Sequence, residues 1–136
     1  MDFLKSLAIA ASGLHAQIGR MEIISENIAN ADSTAQTRGG DPYRRKIVTF
    51  TSELDRSLGA QVVKLGHVQS DSSDFTVRHE PGNPAADANG DVKYPNVNSL
   101  VEITDLRDAQ RSYEANLNVI TATRRMLQRT LDILKA

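Results

Sequence analysis

The chain has 136 residues, a net charge of −1 and no cysteine, and these three facts limit its possible functions. A chain of this length forms a single domain. The balanced charge gives no global attraction to nucleic acid or anionic lipid. The lack of cysteine excludes disulfides and thiolate metal sites. Aromatic residues make up only 4% of the chain, which disfavours a compact enzyme core with a roomy apolar pocket.

The first segment, residues 3–30, is predicted to form an amphipathic helix with Asp2 as its N-cap. Its apolar residues recur at heptad spacing, which keeps one face of a helix against a partner helix. The segment lacks a basic cluster ahead of an unbroken apolar run, so we expect neither a cleaved secretory signal nor a membrane span. The repeating residues are Leu4, Leu7, Ala11, Leu14, Ile18, Met21 and Ile28.

The middle segment, residues 31–98, is predicted to be a loop followed by a small, irregular β-rich insert. Residues 31–42 are polar and contain Gly39-Gly40 and Pro42, which is typical of a loop. Residues 43–51, 61–69 and 74–80 are the candidate strands. Residues 80–98 carry turn residues throughout, and Asn89-Gly90 favours a tight hairpin turn.

The last segment, residues 99–136, is predicted to form a second long helix. Ser99 and Glu102 have the spacing of a capping box, and basic residues concentrate in the final turns, where they favour the negative end of the helix dipole. Heptad spacing of apolar residues runs along this helix as well. The residues that form its stripe are Leu106, Tyr113, Leu117, Ile120, Leu127, Leu131 and Leu134.

Two stripes of this kind predict that the terminal helices pair with each other. Burying one Leu, Ile or Met side chain contributes about 1.5–3 kcal/mol, whereas the entropic cost of closing the intervening loop grows only logarithmically with its length. The predicted fold is therefore mainly α, with the terminal helices paired as an antiparallel-type coiled coil and a β-rich insert between them. We expect the gain from burial to exceed the entropic cost only slightly, so the helices should order fully only when they pack against neighbouring molecules.

Three groups of residues suggest chemistry but are better explained structurally. Residues 87–91 are rich in oxygen ligands, yet they lack the spacing of a calcium loop, and a turn is the better interpretation. Residues 71–74 offer carboxylates and hydroxyls, but a polar turn explains them better than nucleophilic catalysis. The three histidines lie far apart in the sequence. They are His15, His67 and His79.

The sharpest basic cluster is Arg44-Arg45-Lys46, with Tyr43 and Phe50 nearby. Base stacking is one reading, but no wider basic surface supports it. The preferred interpretation is the solvated face of a strand or the rim of a protein contact. Gly39-Gly40 lacks the Lys-Ser/Thr of a phosphate-binding loop. We therefore predict no catalytic, cofactor-binding or metal-binding residues, and no nucleic-acid or small-molecule partner.

Polar residues end the first helix. Asn27, Asn30 and Asp32 are interpreted as a C-terminal capping cluster, because asparagine tolerates the left-handed conformation and its amide can bond free carbonyl groups. A role of these amides in an interaction with another molecule stays open at this point.

Several stretches together identify a family. Residues 27–33, Asn-Ile-Ala-Asn-Ala-Asp-Ser, resemble the motif that ends the N-terminal helix of the axial proteins of the bacterial flagellum. Residues 42–46, Pro-Tyr-Arg-Arg-Lys, and 111–116, Arg-Ser-Tyr-Glu-Ala-Asn, also match. Residues 80–98 are similar to the signature of the FlgC family of flagellar basal-body rod proteins. The motif residues are Asn27, Ile28, Ala29, Asn30, Pro81, Gly82, Asn83, Pro84, Asn89, Gly90, Pro95 and Asn96.

The resemblance implies a structural subunit of the proximal rod, not an enzyme. Members of the family are exported without cleavage by the flagellar export apparatus and assemble helically into the drive shaft that crosses the periplasm. Residues 1–30 and 99–136 would form the inner tube around the export channel, with residues 31–98 outside it. The implied partners are copies of the chain, other proximal and distal rod proteins, the rod–membrane-ring adaptor and the export apparatus.

Two other classes are weaker alternatives. A different secreted coiled-coil component, such as a hook-associated or injectisome needle-type protein, shares the terminal stripes, but needle proteins lack the run from Pro81 to Val97. A wall-cleaving enzyme needs two carboxylates that converge on a cleft, whereas the acidic residues here are scattered over loops and helix faces.

Overall fold

The computed structural model describes residues 2–135, which form two long terminal helices and four short strands between them. This confirms the mainly α architecture with a small β region inserted. None of the helices in the described part of the chain is long and apolar enough to cross a membrane. The elements are α1 (Phe3–Ala29), β1 (Lys46–Asp55), β2 (Ala60–Ser70), β3 (Thr76–His79), β4 (Asp91–Tyr94) and α2 (Ser99–Lys135).

The chain divides into two compact units, and both terminal helices contribute residues to each of them. Unit 1 contains Met1–Met21, Thr49–His67 and Arg107–Ala136, and unit 2 contains Glu22–Val48 and Val68–Leu106. The strands form two two-stranded sheets, β1 with β2 and β3 with β4.

Unit 1 brings α1, the β1–β2 ribbon and α2 together through small side chains. The predicted N-cap is confirmed, since the Lys5 backbone N–H donates to Asp2 Oδ1 at 3.2 Å. The Val63 backbone N–H donates to Ser12 Oγ at 3.1 Å, which ties β2 to α1. The buried side chains of this unit are Ala10, Ala16, Val62, Ala109 and Thr123.

Unit 2 has its apolar core under the second sheet. β3 and β4 pair antiparallel, with Thr76 opposite Tyr94 and His79 opposite Asp91. Val92 and Tyr94 are buried on either side of the exposed Lys93, and their side chains belong to this core. The buried cluster consists of Ala85, Ala86, Val92 and Tyr94, with Ala35 packed against it.

β4 is an element that the sequence prediction missed. Residues 80–98 were expected to be turns throughout, yet Asp91–Tyr94 form a strand. The strand was missed because it has only two apolar residues in alternation, Val92 and Tyr94, and turn-forming residues lie on both sides of it. The Asn89-Gly90 turn is also wider than a tight hairpin, because β3 and β4 are separated by residues 80–90.

The start of α2 differs from the prediction in its capping. The side-chain Oδ1 of Asn98 accepts hydrogen bonds from the backbone N–H groups of Leu100 at 3.1 Å and Val101 at 3.4 Å. Asn98 is therefore the N-cap, and the capping box of Ser99 and Glu102 is wrong. Glu102 is buried instead, with 1% of its surface exposed, and bonds elsewhere in unit 2.

Candidate assembly site

A polar junction in unit 2 joins the end of α1, the start of β1 and the start of α2. We use this name for Asn27, Tyr43, Arg45, Lys46 and Glu102. Asn27 and Glu102 are each 1% exposed. Buried polar groups are costly unless they are hydrogen-bonded, so the bonding of these two side chains decides whether the junction is stable.

Asn27 uses its whole hydrogen-bonding capacity. Its Oδ1 accepts from the Tyr43 hydroxyl at 2.8 Å and from the Lys46 backbone N–H at 2.9 Å. Its Nδ2 donates to the Lys46 carbonyl at 2.8 Å and to Glu102 Oε2 at 3.1 Å. An amide has two acceptor and two donor positions. Only asparagine at this position offers both kinds of group at this length.

Glu102 is neutralised by Arg45. The Arg45 Nε donates to Glu102 Oε1 at 2.6 Å, and its guanidinium also lies 3.4 Å from Asp71 and 3.9 Å from Asp105. Burial acts to lower the pKa of Arg45, but the bonds and charges of Glu102 and Asp71 outweigh it and raise the pKa. The buried carboxylate therefore has a permanently charged partner.

A second asparagine holds the same segment from another side. Asn96 Oδ1 accepts the Arg45 backbone N–H at 2.8 Å, and its Nδ2 donates to Ser73 Oγ at 2.8 Å. Arg44 donates to the carbonyls of Asp71 at 2.9 Å and Ser73 at 3.0 Å. The residues of the Tyr43–Lys46 segment are thus fixed one by one.

Two further groups complete the junction. Lys46 Nζ donates to Glu26 Oε1 on the last turns of α1. Burial, and then the negative charges of Glu26 and Glu102, raises the pKa of Tyr43 to about 12. The hydroxyl of Tyr43 is consequently protonated, and available as a donor to Asn27, throughout the physiological pH range.

The junction changes two interpretations made from the sequence. Asn27 was expected to cap α1, but its side chain reaches β1 and α2 instead. Asn30 does bond the helix end, through Nδ2 to the Glu26 carbonyl at 2.8 Å. Within residues 2–135 positive φ occurs only at glycines, so neither asparagine is left-handed. The basic cluster is internally paired and is not a free solvated strand face.

The side chains of α2 fall into rows along its length. One row, spaced by seven, contains Leu106, Tyr113, Ile120 and Leu127, all half-buried. The row beside it contains Glu102, Ala109, Asn116 and Thr123, which are buried or half-buried. This second row is small or polar, so a search for apolar repeats cannot find it. Leu134 continues the first row by its spacing but is 78% exposed, and Leu117 and Leu131 lie outside both rows and are 44% and 48% exposed.

The predicted stripe on α1 is likewise divided. Leu4 and Ile18 are exposed, on the same side of the helix as His15, Glu22 and Ser25. The other members are half-buried. These are Leu7, Ala11, Leu14, Met21 and Ile28.

α1 and α2 approach each other closely within unit 1. A Cβ placed on Gly13 would lie 2.8 Å from Asn116 Nδ2, so the glycine leaves room for the asparagine side chain. On α2, the side opposite the two inward rows is exposed and polar. It carries Arg107, Arg111, Glu114, Asn118, Thr121, Arg125, Gln128 and Asp132.

The motif residues between positions 81 and 96 have separate roles. Asn83 Oδ1 accepts the Ala85 backbone N–H at 3.0 Å, and Gly90 is buried with a φ of 85°. Pro95 is buried in front of Asn96. Pro81, Gly82, Pro84 and Asn89 are exposed, and Ile28 and Ala29 lie on the last turn of α1 beside Asn27.

Known proteins resemble this chain over nearly its whole length. Residues 7–35 match the family described as "Flagella basal body rod protein", and residues 88–133 match "Flagellar basal body rod FlgEFG protein C-terminal". The flagellar basal-body rod protein FlgC of Agrobacterium fabrum is 57% identical, with 100% of this chain and 99% of the relative aligned. The chain belongs to the FlgC family.

More distant FlgC proteins give the same result. The FlgC of Bacillus subtilis is 39% identical over 98% of this chain and 99% of its own length. The FlgC of Salmonella typhimurium is 38% identical, with 98% of both chains covered. The family predicted from residues 27–33 and 80–98 is confirmed, as is its role as a structural protein of the flagellar basal-body rod.

Proposed function

We propose that this FlgC-family chain is a subunit of the proximal rod, where it assembles helically with its own copies and with other rod proteins. The resulting shaft transmits torque and surrounds the export channel. The observation that carries this proposal is the form of α2, which has two inward rows, a polar opposite side and apolar side chains exposed between them.

The exposed apolar residues are the proposed contacts between subunits. Leu117 and Leu131 flank one side of the inward rows, and Val119, Met126 and Ile133 flank the other. Because apolar area gains about 25 cal/mol per Å² when it leaves water, neighbouring helices on both sides would stabilise α2. Contacts of different surfaces on the two sides generate a helical array and not a closed dimer.

Pairing of α1 and α2 as a coiled coil supplies the stiffness of the proposed shaft. Closely packed interiors are hardly compressible, and the small residues Gly13, Ala10 and Ala109 allow a short distance between helices. Under this proposal residues 1–30 and 99–136 form the inner tube, and residues 31–98 lie outside it.

Export and location follow from the same role. We propose that the subunit passes unfolded through the flagellar export apparatus without cleavage of a signal peptide, and that it then folds in the part of the rod that spans the periplasm. Its proposed neighbours are the other proximal rod proteins, the distal rod and the rod–membrane-ring adaptor. The structural role requires no catalytic group, cofactor or metal ion.

Substitution of one exposed leucine tests the assembly surface. Leu117→Asp places a charge in the proposed contact, where burial without a partner costs several kcal/mol, on the order of 2–7 for an uncompensated polar group. We expect swimming and rod assembly to be lost, whereas the subunit is still exported. Motility in soft agar, electron microscopy of basal bodies and immunoblots of the secreted fraction measure these outcomes.

The adjacent position gives the matched control. Asn118→Asp adds the same charge on the polar side of α2, one residue further along. We expect normal motility for this variant and, since both residues are exposed in the monomer, unchanged melting temperatures for both. Normal swimming of Leu117→Asp would contradict the proposed contact, and loss in both variants would place the polar side in a contact as well.

A further inference from the structure

Asn89-Gly90 combines a chemically labile pair of residues with a tightly bonded backbone. An asparagine followed by glycine loses its side-chain amide readily, because no side chain on the glycine hinders attack on the asparagine. The attacking atom is the backbone nitrogen of Gly90, and the attacked atom is Cγ of Asn89. Asn89 is exposed, and its amide has no hydrogen-bond partner among the described residues.

The nucleophile in this reaction is held by the turn. The Gly90 backbone N–H donates to the Asp87 carbonyl at 3.2 Å, and its own carbonyl accepts from the Glu80 N–H at 2.9 Å. Gly90 is buried with a φ of 85°, a conformation that glycine adopts without strain. The N–H and the carbonyl of Gly90 are therefore both hydrogen-bonded, and the turn restricts rotation of the backbone around the attacking nitrogen.

Asp87 fixes the rest of the turn. Its Oδ1 accepts the backbone N–H of Asn89 at 2.7 Å and that of Asp91 at 3.0 Å, which is the bonding of an Asx turn. Its own N–H donates to the Asp91 carbonyl at 2.9 Å. The N–H groups of Asp91 and Asn89 lower the pKa of Asp87, so the acceptor is a charged carboxylate at neutral pH.

We propose that Asn89-Gly90 is a site of spontaneous deamidation that the folded turn suppresses and the unfolded chain leaves open. In the reaction the Gly90 nitrogen forms a bond to Asn89 Cγ, and the side-chain nitrogen leaves as ammonia with the proton that the Gly90 amide gives up. Water then opens the cyclic imide at either carbonyl, which yields aspartate or isoaspartate at position 89.

The product would be harmful to unit 2. Either product adds a negative charge beside Asp87 and Asp91, and isoaspartate also lengthens the backbone by one atom. The bonds of the turn, including the one from Glu80 to Gly90, then no longer fit together. Because β4 follows directly, at Asp91, the pairing of β3 and β4 would be weakened.

Incubation of the full chain at neutral pH, in buffer and in concentrated urea, tests the proposal. Proteolysis and mass spectrometry then report the conversion of Asn89. We expect conversion in urea to be more than about tenfold faster than in buffer, because a bonded peptide reacts only from locally opened states. Asn118-Val119 in the same samples is the internal control, and its branched neighbour should keep it slow in both.

An Asp87→Ala variant isolates the turn from the rest of the fold. It removes the side-chain bonds to the N–H groups of Asn89 and Asp91 but keeps the Asp87 carbonyl that accepts from Gly90. Conversion in buffer should therefore be faster than in the parent chain without exceeding the rate in urea, and the rates of variant and parent in urea should be equal. Circular dichroism shows whether the variant is folded. If it is not folded, the comparison of the parent chain in buffer and in urea still tests the proposal. Equal rates for the parent in buffer and urea, or no conversion in urea, would overturn the proposal.

Discussion

The most consequential single residue is Asn27, because four different groups depend on its amide. It joins α1 to both backbone groups of Lys46, to the Tyr43 hydroxyl and to the buried Glu102. The energetic asymmetry of buried hydrogen bonds makes such a residue sensitive, since each partner left unsatisfied costs about 1–3 kcal/mol.

Asn27→Asp should destabilise the protein by about 3 kcal/mol or more, because two donor bonds are lost and a second carboxylate is placed beside Glu102. Urea unfolding followed by circular dichroism measures the free energy of unfolding. Asn118→Asp, which makes the same chemical change on an exposed surface, serves as the control and should shift it by less than about 0.5 kcal/mol. Equal effects of the two substitutions would show that the junction contributes nothing to stability.

The Tyr43 hydroxyl predicts a loss of stability at alkaline pH. Its pKa is raised from 10 to about 12 in the folded chain, so its contribution is complete below pH 10 and is lost as the pH rises through the range from 10 to 12. The loss from this group alone is at most about 2 kcal/mol.

Tyr43→Phe provides the comparison for that loss. The variant lacks the hydroxyl, so it should be less stable by about 1 kcal/mol at neutral pH, and its stability should fall less between pH 10 and pH 12. The two proteins differ only in this hydroxyl, so the difference between their curves reports its contribution. Parallel curves of unfolding free energy against pH would contradict the assignment to Tyr43.

At the level of the elements, the close approach of α1 and α2 is the feature to test. Gly13→Ala improves helix propensity by up to about 1 kcal/mol, but its Cβ would meet the Asn116 side chain at 2.8 Å. We expect Gly13→Ala to destabilise the parent chain and to stabilise an Asn116→Ala chain, which leaves a coupling energy on the order of 1 kcal/mol.

A double-mutant cycle based on urea unfolding gives that coupling energy. The combination of Gly13→Ala with Asn118→Ala is the control, and there the two effects should add, because Asn118 lies on the exposed polar side of α2. Additive effects for Gly13 and Asn116 as well would mean that these two helices are not packed in the isolated chain.

Most elements were predictable from periodicity, whereas the contacts between them were not. The apolar repeats locate α1 and α2 to within one residue at most ends, and β1, β2 and β3 were placed approximately. The row containing Ala109, Asn116 and Thr123 has no apolar period, and Glu102 looked like a capping residue because its spacing from Ser99 fits that motif. The role of Glu102 depends on its pairing with Arg45, which is 57 residues away in the sequence. Local sequence patterns cannot predict a contact over that separation.

For the molecule as a whole, we expect the ends of the helices to be less stable than unit 2. Unit 2 holds the polar junction and the apolar core under β3 and β4, whereas most side chains beyond position 124 are exposed. Regions with few buried contacts open locally at low cost. Amide hydrogen exchange of the dilute monomer should be fast in residues 1–30 and 110–136, apart from the turns of α1 around the buried Ile24 and Asn27.

The comparison within the same experiment is the exchange of β3 and β4. These strands should be protected longer than residues 110–136 in the monomer, and the helices should gain protection when rods are assembled. Equal protection of β3, β4 and residues 110–136 in the dilute monomer would contradict late ordering of the helix ends.

The bonding of Lys46 by a side-chain amide has one more consequence. An unpaired peptide group at the edge of a sheet can form hydrogen bonds with a strand of another molecule through its N–H and C=O. Aggregation of native proteins through β-strands begins at such unpaired edges. Here the side-chain amide of Asn27 bonds both the N–H and the C=O of Lys46. A side-chain amide, unlike a strand, offers no further backbone groups that would continue the sheet. The amide thus ends strand pairing at Lys46, so association through this end of β1, which would compete with the helix contacts proposed for the rod, is blocked at this position.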